Sequence, residues 1–279
     1  MRRRSAARAS FAEPPGSQLP QRLQAAPGRA VVSVGAPAGA NATVSKRLPA
    51  LRTLPAGWVT LHAIRRPSRT PMTPPRTITV AFTGASGLPY GVRLVECLLQ
   101  AGCRVWLLYS QVAQIVARQE MDWNLPARPA EVEAELSARF AAAPGQLRVF
   151  GREEWFAPPA SGSNPPDAMV VCPCTVATLA SIAGGLSQNL IERAADVVIK
   201  EGRKLVLVPR ETPYSAIHLE NMLKLARLGV CILPPNPGFY HHPQTVKDLV
   251  DFVVARILDQ LGVPHSLMAR WGEDRERAG

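Results

Sequence analysis

From residue 77 onward, short and nearly continuous apolar runs alternate with longer stretches in which apolar residues recur every three or four positions. The short runs, rich in β-branched and aromatic residues and closed by Gly or Pro, predict strands at 77–83, 104–109, 147–150, 168–172, 205–208 and 230–233. The periodic stretches predict helices over 88–101, from Ser110 onward, over 129–142, from Thr175 onward, and over 189–201, 215–228 and 243–262. Apolar strands alternating with helices predict an α/β fold: a parallel sheet covered by helices on both faces, in a single domain over 76–279. Ligands of such sheets bind beyond the carboxyl ends of the strands.

Residues 1–75 break this pattern. They hold eleven prolines and no sustained periodicity, and their composition could not bury a core. Their Arg/Ser/Ala-rich start resembles a mitochondrial transit peptide. The plainer expectation is a disordered extension, or upstream sequence read through from a misplaced start, with Met72 a plausible true start. The net charge of +11 changes meaning once located. Twelve Arg or Lys and a single acid, Glu13, lie in residues 1–75, and the remainder balances to zero. A general polyanion-binding surface is therefore not expected on the domain. Five scattered cysteines fit a reducing, cytoplasmic setting, mitochondrial only if the extension is a real transit peptide. Cys172-Pro-Cys174 lacks the C-x-x-C spacing, so no metal site is expected. No apolar run reaches the roughly 18 residues of a membrane span.

The segments after each strand carry the chemistry. The first strand runs into Gly84-Ala85-Ser86-Gly87 and then a helix, the arrangement that turns backbone N–H groups and a positive helix end toward a phosphate. It suits a flavin, a nicotinamide dinucleotide or another phosphorylated ligand, or simply a tight turn. Ser110 follows the second strand, Cys172-Pro-Cys-Thr-Val-Ala-Thr178 the fourth, Arg210-Glu211 the fifth and Pro-Gly-Phe-Tyr240 the sixth. Hydroxyls, helix starts and one arginine on a common rim suit a phosphate monoester. A dinucleotide fits less well: G-x-G-x-x-G is absent, and Tyr109-Ser110 stand where a ribose-binding acid is expected. No tyrosine has a lysine four residues on, which disfavours a short-chain dehydrogenase.

Together T-G-A-S-G with its following Tyr-Gly, C-P-C-T, N-L-I-E-R-A-A-D-V, K-E-x-R-x-L-V-L-V-P-R-E-T-P, H-L-E-N-M-L-K-L, P-G-F-Y-H-x-P-Q, V-A-R-I-L-D and R-W-G-E resemble the UbiX/Pad flavin prenyltransferase family over residues 76 to 274. The resemblance implies a flavodoxin-like Rossmann fold and a metal-independent transferase. Its substrates would be reduced FMN and dimethylallyl phosphate or, in some members, the diphosphate. The prenyl group would join flavin N5 and then C6, and the prenylated FMN would serve UbiD-type decarboxylases of ubiquinone biosynthesis or aromatic acid decarboxylation. A homo-dodecamer with sites between subunits is also implied. The alternatives are a flavin-dependent cysteine decarboxylase, whose P-A-S-A-N-T stretch is missing, and a non-catalytic FMN carrier.

Carried over by motif, Gly84, Ala85, Ser86, Ser110, Thr175, Val176, Ala177, Thr178 and Arg210 resemble the FMN contacts. Lys200, Tyr240 and Arg256 resemble the prenyl-phosphate group, with Arg193 contributing across an interface. Glu211 resembles the acid that protonates the departing phosphate, Ser86 a proton shuttle near N5, and Glu120 a further active-site acid. On sequence alone Glu120 reads as a solvated helix residue. Arg256, inside the apolar run V-V-A-R-I-L, reads as a buried cation in need of an anion. Trp271 reads equally as a pocket lid or a packing residue.

Overall fold

The computed structural model describes residues 75–268. The expected extension, but for its last residue, lies outside the described residues, and so do Met72 and the R-W-G-E segment with Trp271.

Six strands form one all-parallel sheet: β1 (Thr77–Phe82), β2 (Arg104–Tyr109), β3 (Leu147–Phe150), β4 (Ala168–Cys174), β5 (Lys204–Pro209) and β6 (Cys231–Ile232), in the order β3-β2-β1-β4-β5-β6. This is the doubly wound Rossmann order. Without the four-residue edge strand β3, the remaining five strands follow the flavodoxin order, so both parts of the expected fold description hold. The direction of winding reverses between β1 and β4, which opens a crevice beyond their carboxyl ends.

Among the described residues seven α-helices cover the sheet: α1 (Leu88–Gln100), α2 (Gln111–Met121), α3 (Pro129–Arg139), α4 (Val176–Gly184), α5 (Leu190–Lys200), α6 (Ala216–Arg227) and α7 (Val246–Leu261). The alternation of side chains along each strand separates two cores. Ile78, Val80 and Phe82 of β1 point into a layer built with α1, α2, α3 and α7. Ala81 points the other way, into the layer of α4, α5 and α6. Strands buried on both faces need no polar alternation, which is why they read as continuous apolar runs.

Helix α1 lies unusually close to the sheet, and Gly91 makes that possible. A Cβ there would stand 2.3 Å from the Cys172 carbonyl oxygen and 2.7 Å from the Phe82 ring. The Tyr-Gly pair of the motif is thus a packing requirement. On its outer side α1 is tied to α7: the Arg93 guanidinium donates to both oxygens of Asp251 at 2.7 and 3.3 Å.

Candidate functional site

The carboxyl ends of β1, β2 and β4 surround a cleft of about 310 Å³. Thr83 forms part of its wall and fixes the geometry of the switch point. Its hydroxyl donates to the Pro173 carbonyl at 2.7 Å and accepts the Thr175 N–H at 2.9 Å, which locks the end of β1 to the end of β4. Gly84 follows, against the first turn of α2. A Cβ on it would fall 2.3 Å from Val112 Cγ1, so glycine here permits α2 to start at the cleft.

Three helices begin on this cleft, each with its own side-chain cap. Ser110 Oγ accepts the Ala113 N–H for α2, Thr175 Oγ1 accepts the Thr178 N–H for α4, and Asn189 Oδ1 accepts the Glu192 N–H for α5. Each cap satisfies one N–H and leaves earlier amides of its turn available. The amides of Gln111, Val112, Val176 and Ala177 have no acceptor among the described residues. Among the described residues no carboxylate lines the cleft, and Arg152 supplies a cation. Helix N-termini, the hydroxyls of Ser110 and Thr178, the side-chain amides of Gln111 and Asn189 and the Arg152 guanidinium form a donor set that fits a phosphate dianion.

Of the expected FMN contacts, Gly84, Ser110, Thr175, Ala177 and Thr178 line this cleft. Ala85 is buried beneath the turn, while Ser86 is exposed on it. Val176 opens α4 between two lining residues. Arg210 stands next to this edge, its N–H donating to the Cys174 carbonyl, but its side chain does not line the cleft. The reading from the chain missed Thr83, Gln111, Val112, Arg152, Asn189 and Ile191. Asn189 could have been found, since N-L-I-E is an N-cap with an acid three residues on.

The glycine turn itself behaves differently from expectation. Gly87, left-handed at φ 110°, caps α1 without a side chain. Glu120, in the last turn of α2, does the capping instead. Its carboxylate accepts the Gly87 N–H at 2.9 and 3.1 Å and the Leu88 N–H at 3.0 Å. Two of the amides expected to meet a phosphate at the start of α1, those of Gly87 and Leu88, are therefore engaged by a carboxylate, and the open cleft lies at α2, α4 and α5. Glu120 is not merely solvated: it is exposed, yet it fastens the turn that carries Ser86. Tyr90 lies beneath that turn, and burial pushes its phenol pKa up, helped by Cys172 and Glu120 nearby.

Glu211 sits in the short β5–α6 connection. Its own carboxylate accepts the Thr212 N–H at 3.1 Å, and the Tyr214 hydroxyl donates to the Pro209 carbonyl at 3.2 Å, holding the loop closed. Tyr240 follows β6, edge-on to Phe252 of α7 and to His241, whose ring stacks on Phe252 at 5.1 Å.

The remaining expected residues do not line this cleft. Lys200 ends α5 at the opposite edge of the sheet, four residues before β5 begins, and pairs with Glu201 at 2.6 Å. Arg193 donates to the Ala160 carbonyl at 3.1 Å and to Asp196 at 2.9 Å. Arg256 corrects an expectation: it is not buried but 52% exposed on the outer face of α7, paired with Asp259 at 2.7 Å. At 100° per residue, a single outward position inside V-V-A-R-I-L leaves its neighbours buried.

The flavoprotein family model matches residues 66–258. The flavin prenyltransferase UbiX of Pseudomonas aeruginosa is 59% identical over 202 residues, covering 72% of this chain and 97% of that protein. The flavin prenyltransferase UbiX of Halalkalibacterium halodurans is 48% identical over 198 residues, covering 71% and 94%. Among solved structures, AnUbiX (PadA1) in complex with FMN and dimethylallyl pyrophosphate aligns with a TM-score of 0.64 at 39% identity, covering 71% of this chain and 98% of that one. A dodecameric FMN-dependent UbiX-like decarboxylase from Escherichia coli O157:H7 aligns with a TM-score of 0.62 at 42% identity, covering 70% and 98%. With a donor-lined cleft at the switch point of a Rossmann sheet and relatives matched over nearly their whole length, this chain belongs to the UbiX family of flavin prenyltransferases.

Proposed function

We propose that this chain transfers a dimethylallyl group from dimethylallyl phosphate to reduced FMN. The cleft where α2, α4 and α5 begin would hold the FMN phosphate. The observation that carries this reading is the cleft's polar lining: hydroxyls, side-chain amides and one cation, with no carboxylate among the described residues. Reduced FMN supplies the nucleophilic flavin nitrogen. The protein's part is to bind both phosphates, hold the turn with Ser86 beside the flavin, and deliver a proton from Glu211 to the departing phosphate. Lys200, Arg193, Tyr240 and Arg256 would hold the prenyl phosphate. Because Lys200 and Tyr240 lie at opposite edges of one sheet, the group would form where copies of the chain meet. We assign the product to a UbiD-type decarboxylase.

Incubating the protein anaerobically with reduced FMN and dimethylallyl phosphate should yield a flavin heavier by one prenyl unit, by mass spectrometry. Recovery of unaltered FMN would overturn the reading in favour of a carrier. The diphosphate, offered in parallel, shows which donor this chain uses. The same assay tests the domain assignment: protein beginning at Met72 should match the full chain in rate, because every residue named for the proposed site follows Met72. A large loss on truncation would refute that division.

Self-assembly has its own support. Helix α6 buries only Met222 and Leu225 and leaves Ile217, Leu219 and Leu223, with Leu228 at its C-cap, more than half exposed. Such apolar surplus on a folded domain marks an interaction surface, and we infer that it contributes to a homo-dodecamer. Leu223→Glu places a charge on that surface and should shift the protein to smaller species by light scattering, with prenylation falling in parallel. An unchanged assembly would remove α6 from the interface. No helix among the described residues is long and apolar enough to cross a membrane. The five unpaired thiols support a reducing compartment, and we infer the cytoplasm.

A further inference from the structure

We propose that Arg152 is the cation that neutralises the FMN phosphate in the cleft. This rests on the reading of that cleft as the phosphate pocket, and it assigns the charge to a residue outside every motif of the chain. Three observations converge on it. First, Arg152 lines the cleft, and among the described residues it is the one charged residue that does. Second, its backbone is anchored there: the Leu190 N–H, in the first turn of α5, donates to the Arg152 carbonyl at 2.9 Å. The start of α5 and the arginine are thereby held on the same edge. Third, its guanidinium has no ion pair among the described residues, although two acids follow it directly. Glu154 is turned back onto the Gly151 N–H, and Glu153 makes no ion pair.

A phosphate placed among helix N-termini alone meets partial charges only. Added charge neutralisation comes from a guanidinium, whose planar fork matches two phosphate oxygens. Arg210, the alternative, is exposed beside the cleft but outside its lining, nearer the Cys174 end of β4. Arg152 is exposed before the ligand arrives, so it reaches the phosphate without giving up another partner.

The test compares FMN with riboflavin, which lacks the phosphate, by fluorescence titration of the full chain. Wild-type protein should bind FMN more tightly than riboflavin. Arg152→Ala should lose about tenfold in FMN affinity, the scale of one charge-assisted hydrogen bond, with riboflavin affinity unchanged. Arg152→Lys should recover part of the loss, and the wild-type preference should weaken in high salt. Arg152→Ala binding FMN like wild type would overturn the proposal and leave the phosphate to the helix ends and Arg210. An equal loss for FMN and riboflavin would overturn it too, because the residue would then act on the flavin ring or the fold. Wild-type protein with no preference for FMN would sink the phosphate reading of the cleft itself, whatever Arg152 does.

Discussion

Replacing Glu211 by Gln should lower prenylation turnover by about 10²- to 10⁴-fold, the range for removing a positioned general acid, while FMN binds as in wild type. Glutamine keeps the shape and one carbonyl oxygen, so it can still accept the Thr212 N–H that the carboxylate accepts at 3.1 Å. The loop has further supports in the Tyr214–Pro209 hydrogen bond and in the capping box of α6, where Ser215 and His218 bond reciprocally. The substitution therefore removes a transferable proton and little else. Glu211 lies outside the cleft lining, which is why flavin affinity should stand. Single-turnover assays with reduced FMN separate the two effects. Turnover like wild type would show that another group, or water, protonates the leaving phosphate. Loss of FMN binding would make Glu211 a structural residue of the rim.

What could be read from the chain follows the range of the forces involved. Strands buried on both faces announce themselves as apolar runs, and β1, β2 and β5 fall within a residue or two of expectation. Helix starts were equally legible at Ser110, Thr175, Asn189 and Ser215, which cap within three residues of themselves, whereas the last helix begins at Val246, capped by Thr245, rather than at 243. The ends were less so. Helix α3 stops at Arg139 rather than continuing to 142, where Ala141 turns left-handed at φ 50°. The edge strand β6 shrinks to Cys231–Ile232, since only β5 pairs with it.

The site was legible where it is local and hidden where it is not. The capping of α1 by Glu120 joins residues 33 positions apart, and nothing near Glu120 signals it. Arg152 reaches the cleft from an irregular segment after the edge strand β3, with no periodicity to place it. The separation of Lys200 from Tyr240 was implied by the alternation itself. A helix that runs back between two parallel strands must end at the amino edge of the sheet, and α5 ends at Lys200. Motif resemblance groups these residues by function, whereas one chain's topology keeps them apart, and the proposed site needs contact between copies to join them.

Removing Asp251 should cost the folded protein about 3 kcal/mol, the lower end of the range for breaking a buried ion pair. Asp251 is 9% exposed and receives the Arg93 fork at 2.7 and 3.3 Å and Lys247 at 2.8 Å. Arg93 is itself only 18% exposed and also holds Glu96 at 2.8 Å. Asp251→Ala therefore leaves a desolvated guanidinium with half its partners, at the contact that fastens α7 to α1. Burial on its own pushes the Asp251 carboxyl up, but the hydrogen bonds and charges of Arg93 and Lys247 outweigh it and hold the group below the usual carboxylate range. A depressed folded-state pKa stabilises wherever the carboxylate is ionised in both states, and that stability fades as pH falls through the folded value. Urea midpoints of wild type and Asp251→Ala, at one fixed protomer concentration because assembly adds to apparent stability, should differ by a constant amount from neutral pH down to about pH 4. Below that the two curves should approach each other. Lys247→Ala should cost far less, since Lys247 is 66% exposed and Arg93 remains to hold the carboxylate. A gap that persists undiminished at pH 3 would mean that Asp251 supports α7 through packing rather than charge.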